Sequence, residues 1–87
     1  MEKINVIWDP YEFEIAIKYN HKNIIEWELS THLILLNQEW FCECSAEYNS
    51  LDVMKYLYIL GSPLSETTFR NAAGHGSVEM IKWLHQK

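Results

Sequence analysis

Apolar positions in this chain recur at helical rather than strand spacing. Met80, Ile81 and Leu84 fall at i, i+1 and i+4, the stripe by which a short helix buries one side. Val53, Met54 and Leu57 show the same spacing, and Ile24, Ile25 and Trp27 a looser version of it. Breaks and caps separate these stripes into short helices. Asp9-Pro10 opens the first, with Asp as the capping residue and Pro in the first turn. Thr67 is placed to cap a helix running to Ala73, after which Gly74 and Gly76 supply a flexible break. Ser77 caps the following helix, with Glu79 in its first turn where the dipole favours an anion. Asn49 and Ser50 take the corresponding turn and cap roles earlier in the chain, and Gly61-Ser62-Pro63 forces a turn because proline cannot continue a helix.

The pattern repeats. Residues 44–57 (CSAEYNSLDVMKYL) lie over residues 71–84 (NAAGHGSVEMIKWL) at a constant step of 27, as 73 − 46 shows. Ala, Ser, Lys and Leu recur identically, and Asp/Glu, Val/Met, Met/Ile and Tyr/Trp recur in kind. A weaker copy lies upstream at a step of 29, as 48 − 19 shows, with Ala16-Ile17-Lys18-Tyr19-Asn20 matching Ser45 to Asn49. In that register Glu28 falls where Leu57 and Leu84 stand, a polar residue at a core position. The expectation is a single domain over residues 1–87 made of three two-helix units, at about 9–37, 38–64 and 65–87.

The third copy resembles an ankyrin repeat. Thr67-Thr68-Phe69-Arg70-Asn71-Ala72-Ala73-Gly74-His75-Gly76-Ser77-Val78-Glu79-Met80-Ile81-Lys82-Trp83-Leu84 is similar to that family's T-x-L-x-x-A-A-x-x-G-x-L-E-x-V-K-x-L pattern, with Phe69 at the leucine position. Ordinary ankyrin repeats run about 33 residues. The 27-residue step resembles the shortened repeats common in protists and large DNA viruses, in which the β-hairpin is trimmed to a tight loop. The resemblance covers Trp40 to Lys87 well and Asp9 to Trp27 poorly. It implies an all-α stack of about three helical hairpins, with short or absent β-hairpins, that binds a partner protein through its concave face. Phe13, Cys42 and Phe69 on the first helices, and Ile24, Val53 and Met80 on the second, become core positions. Lys18, Tyr19, Glu47, Tyr48, Asn71 and His75 become the candidate partner-binding residues, with Tyr19, Tyr48 and His75 as a row of amphipathic rings. The same rings could instead cover the helix ends. Ile81, Trp83 and Leu84 stand at the last copy's outer side with no capping repeat after them. Pairing of that C-terminal helix with a second copy, as a structural or assembly element, is the alternative to partner recognition.

Composition narrows the function further. Hydrophobic residues make up 48% of the 87 and aromatics 14%, too rich for a disordered chain. The formal net charge is −5, and the seven basic residues are scattered singly. A phosphate backbone or an anionic bilayer needs a concentrated positive surface, so neither nucleic acid nor membrane is an expected partner. Met1 to Asp9 lacks a signal-peptide pattern and Leu33 to Leu36 is too short an apolar run to span a bilayer, which points to a cytoplasmic setting, the host cytosol if a virus encodes the chain. Cys42 and Cys44 are two residues apart, so on a helix their thiols point roughly 200° apart and cannot share one ion or form a disulfide. His21, His32, His75 and His85 are not at metal-binding spacing. No nucleophile elbow, phosphate loop or H-E-x-x-H run is present, and Glu12, Glu14, Glu26 and Glu28 read as solvated helix surface. No catalytic residue, metal or cofactor is expected.

Overall fold

The computed structural model describes residues 8–87; residues 1–7, and the reading of them as free of a signal pattern, lie outside that range. Six helices follow one another: α1 (Pro10–Lys18), α2 (Lys22–Thr31), α3 (Glu39–Glu47), α4 (Leu51–Ile59), α5 (Glu66–His75) and α6 (Val78–His85). None exceeds ten residues, a length marginal for an isolated helix in water, so tertiary packing must hold them. The chain is all-helical, and no strand element occurs among the described residues.

Consecutive helices pair across short turns, α1 with α2, α3 with α4 and α5 with α6. The first helices of the pairs also pack in succession, α1 on α3 and α3 on α5, while α2 packs on α4. The body measures 38 × 21 × 18 Å, elongated as three layers spaced by a helix–helix distance of about 8–10 Å would be. Burial records the order of the layers. In α3 five residues are buried (Phe41, Cys42, Cys44, Ser45, Ala46), because it has a neighbour on either side, whereas α5 buries only Thr68 and Ala72. Small residues sit where the first helices meet: Ala16, Ser45 and Ala72 are all buried, and they are related by the steps of 29 and 27.

Two apolar clusters hold the layers. One joins Phe13, Ala16, Ile17 and Ile25 of the first pair to Phe41, Cys44, Val53 and Leu57 of the second. Its aromatic part is dense: Phe13 and Phe41 centroids are 4.8 Å apart, with Trp8 5.2 Å from Phe13 and Trp40 4.6 Å from Phe41. The other cluster joins Cys42, Ala46 and Met54 to Ala72, Met80 and Leu84. Cys42 and Cys44 therefore serve different clusters on opposite sides of α3, and both are free thiols.

The corners are built by asparagine. After α1, Asn20 adopts φ 57°, its N–H donates to Ile17 O, and the His21 N–H donates to Ala16 O, which is the Schellman closure. After α3, Asn49 adopts φ 56°, with Asn49 N–H on Ala46 O and Ser50 N–H on Ser45 O. Gly61 closes α4 in the same way at φ 116°, as the Gly-Ser-Pro turn required. The asparagine side chains then tie layer to layer. Asn20 Oδ1 accepts from the Val53 N–H at 3.1 Å, and Asn49 Oδ1 accepts from the Ser77 N–H at 3.0 Å.

Several local expectations need correction. The cap of α5 is Ser65, not Thr67: Ser65 and Thr68 exchange side-chain and backbone hydrogen bonds in a capping box, starting the helix two residues earlier. Gly74 lies inside α5, which runs on to His75, and Gly76 ends it without a left-handed φ. Gly76 answers to crowding instead, since a Cβ there would lie 2.8 Å from Ala72 O and 3.0 Å from Met80 Sδ. The Ser50 hydroxyl does not cap α4; it donates to Ile17 O in the neighbouring pair. Ile24 is 44% exposed and Ile25 takes the core position, because α2 presents that neighbouring residue to α1 and α4. Phe69 is 40% exposed, as nothing among the described residues packs beyond α5 on that side, while Leu84 is buried rather than uncovered. Asp9 and Ser77 cap as expected, accepting from Tyr11 N–H and Met80 N–H.

Candidate interaction surface

Matching helix ends bring three of the candidate residues together. Because α1 and α3 both end in an Asn-based Schellman closure, Tyr19 and Tyr48 occupy the same C-cap position in successive layers. Both rings are open to solvent, Tyr19 at 59% and Tyr48 at 40%. The Lys18 ammonium lies 5.7 Å from the Tyr19 ring centroid and 5.3 Å from that of Tyr48, so one cation spans both rings. Exposed cation–π contacts of this kind contribute about 0.5–1 kcal/mol and hold flat aromatic faces in place before anything binds. His21 stands 6.0 Å from Tyr19, a fourth amphipathic group at the same corner.

The other candidates are placed differently. Glu47 is exposed, immediately before Tyr48 on α3. Asn71 is half-buried, and its amide donates to Glu43 O at 3.1 Å, fastening α5 to α3. The Glu43 carboxylate beside it accepts from the Ser65 hydroxyl at 2.6 Å. His75 is exposed in the last turn of α5. The third corner lacks the Schellman closure, so its ring stands within the helix rather than at the cap.

A second set of aromatic–lysine contacts lies on the second helices, which sequence reasoning did not single out. Tyr58 and Trp83 meet edge to face at 5.5 Å with the Lys87 ammonium 5.6 and 5.1 Å from their centroids. The Lys22 ammonium lies 5.2 Å from the Tyr56 ring and 3.7 Å from the Glu26 carboxylate. The 27-residue step that pairs Tyr56 with Trp83 was the available signal.

Among the described residues the buried titratable groups are Cys42, Cys44 and Glu28. Burial pushes the Cys42 thiol up to about 12, with Glu43 adding to it. Burial likewise raises Cys44 to about 12, helped by Glu14 and Glu47 and opposed by Lys18. Thiols held so far above neutral are poor nucleophiles. Glu12 and Glu14 are solvated, as expected, but Glu28 is not: it is 2% exposed on α2, and its Oε2 has no hydrogen-bond partner among the described residues. Burial raises the Glu28 carboxyl; the His32 ring nitrogen 3.4 Å away lowers it in part, while Glu12 and Asp9 push it up further. Among the described residues no three His, Cys, Asp or Glu side chains converge as a metal site would need, and no helix is long and apolar enough to cross a membrane. No family model, curated protein or solved structure matches the chain.

Proposed function

We propose that this chain is a non-catalytic recognition module of the ankyrin-repeat kind, which binds a partner protein through the corner surface of its helical pairs. The observation that carries the reading is the pair of solvent-exposed rings, Tyr19 and Tyr48, set in the same place on successive layers and bridged by Lys18. Tyrosines held rigidly by their backbone and by a neighbouring cation suit a contact surface, since each offers a large apolar face and a hydroxyl at little entropic cost. Glu47 and His75 extend that surface at its edges, and Asn71 acts behind it by fixing α5 to α3. The internal step of 27 and the packing of α1, α3 and α5 in succession support the ankyrin reading. A cytoplasmic setting, in a host cell if the gene is viral, belongs to the same proposal.

The test is the variant Tyr19→Ala, Tyr48→Ala, His75→Ala. All three residues are exposed, so helical circular dichroism and Tm should stay near the parent's, while capture of the partner from the natural cellular lysate is lost. Capture at the parental level by a fully folded triple variant rules this surface out.

A further inference from the structure

The seam between α1 and α3 has two ends. One carries Tyr19 and Tyr48; the other opens into a pocket of about 310 Å³ lined by Pro10, Tyr11, Glu14 and Trp40. Tyr11 is 63% exposed, and Glu14 is exposed and forms no ion pair among the described residues. Trp40 is half-buried and held in place: its indole N–H donates to Gln38 Oε1 at 2.9 Å, and its ring packs on Phe41 at 4.6 Å and Trp8 at 6.5 Å. Two aromatic side chains and a carboxylate around one opening suit a cation, which the ring faces and the carboxylate both attract. The surrounding charge has the same sign. Residues 9–18 and 39–47 carry six acidic side chains (Asp9, Glu12, Glu14, Glu39, Glu43, Glu47) against Lys18 alone, and the Lys18 ammonium already lies over Tyr19 and Tyr48. The positive ends of α1 and α3 are answered by Asp9, which caps the first, and by Glu39 in the first turn of the second.

We infer that this pocket seats an arginine side chain of the partner, an inference that rests on the recognition reading for the partner's being a protein. An apolar occupant would desolvate the Glu14 carboxylate and give it nothing in return. A guanidinium suits the pocket better than an ammonium, because it is planar and weakly hydrated: it stacks on a ring face while its N–H fork reaches the carboxylate. Pocket and tyrosine corner are continuous. Glu14 and Lys18 stand one turn apart on α1, and both, with Glu47 of α3, act on the Cys44 thiol at the seam. From Tyr11 to Tyr19 the helix rises roughly 12 Å, which an extended segment covers in about four residues. The partner segment therefore carries its arginine about four residues from the group that meets Tyr19 and Tyr48.

The probe is N-acetyl-arginine amide, added at constant ionic strength to the isotope-labelled chain. The readout is the Trp40 indole N–H resonance, identified by its loss in Trp40→Phe. That resonance should shift saturably, with a Kd in the millimolar range. Tyr11→Ala with Glu14→Gln should weaken binding about tenfold. Both positions are exposed, so the circular dichroism of that variant should match the parent's. The citrulline analogue, similar in shape but uncharged, should leave the resonance unmoved. A shift that never saturates, or none at all, overturns the proposal. So does an equal response to citrulline, or full affinity in the folded double variant. The lysine analogue or tetramethylammonium binding as tightly as the arginine amide would make charge alone the determinant, and the arginine assignment falls. The Tyr19→Ala, Tyr48→Ala, His75→Ala variant should bind the arginine amide as the parent does. A failed titration therefore overturns this pocket and leaves the corner standing, whereas lysate capture that survives the triple variant removes the corner and leaves the titration untouched.

Discussion

Glu28→Leu should stabilise this protein at neutral pH, although it removes a charged residue that has an ion-pair partner. Glu28 is 2% exposed and occupies the position held by buried Leu57 and Leu84 in the other two pairs. Its carboxylate forgoes most of its hydration, and His32 at 3.4 Å, itself partly solvated, returns only part of that. Leucine is close in size, and burying its side chain contributes about 1.5–3 kcal/mol. A net gain of about 2 kcal/mol follows, which for a chain of this size is a rise in Tm of roughly 8–16 °C. The pH dependence has a definite sign. The folded-state pKa of Glu28 is raised above its unfolded value, so the folded state holds the proton more tightly. The stability that Glu28 contributes is then fully present below the ordinary glutamate value and is lost as pH rises through the folded one. The gap between Glu28→Leu and the parent should accordingly widen from acid to neutral pH and close again in acid. Thermal melts followed by far-UV circular dichroism over that range measure both quantities. A leucine variant less stable than the parent at neutral pH, or a gap indifferent to pH, would refute the reasoning that burial outweighs the His32 contact.

Other substitutions separate the local devices. Gly74→Ala adds a methyl in open space within α5 and should raise stability by about 0.5–1 kcal/mol, whereas Gly76→Ala, crowded by Ala72 O and Met80 Sδ, should lower it by about 1–3 kcal/mol; urea titration ranks the two against the parent. Asn49→Gly keeps the left-handed corner but loses the acceptor for the Ser77 N–H, costing about 0.5–1.5 kcal/mol, and Asn49→Ala costs a further ~1–2 kcal/mol of backbone strain; equal stabilities for the two variants would contradict this. Neither cysteine should react with a disulfide reagent in the native protein at neutral or mildly alkaline pH, because burial holds both thiols near 12, and both should react at once in denaturant.

The corner surface was legible in part. Tyr19 and Tyr48 share a place in the repeat, so their common position could be read from the aligned copies, and the asparagines that follow them marked the turn. The bridging role of Lys18 could not, because it depends on how closely α1 and α3 approach. Asn71 sits in the same row of candidates but faces the gap between α5 and α3, and only the packing of those helices directs its amide to Glu43.

The amino-acid sequence alone determined the helical periodicity, the two-helix unit, its step of 27 and the chain reversals at Asn49 and Gly61, since each rests on interactions among residues close in the chain. The three-dimensional packing decided which equivalent positions are equivalent in environment. Phe13 and Cys42 are buried and Phe69 is open; Leu57, Leu84 and Glu28 are all buried, though one of them is an acid. The physical reason is that a repeat fixes the residue, whereas burial depends on whether another layer lies against it.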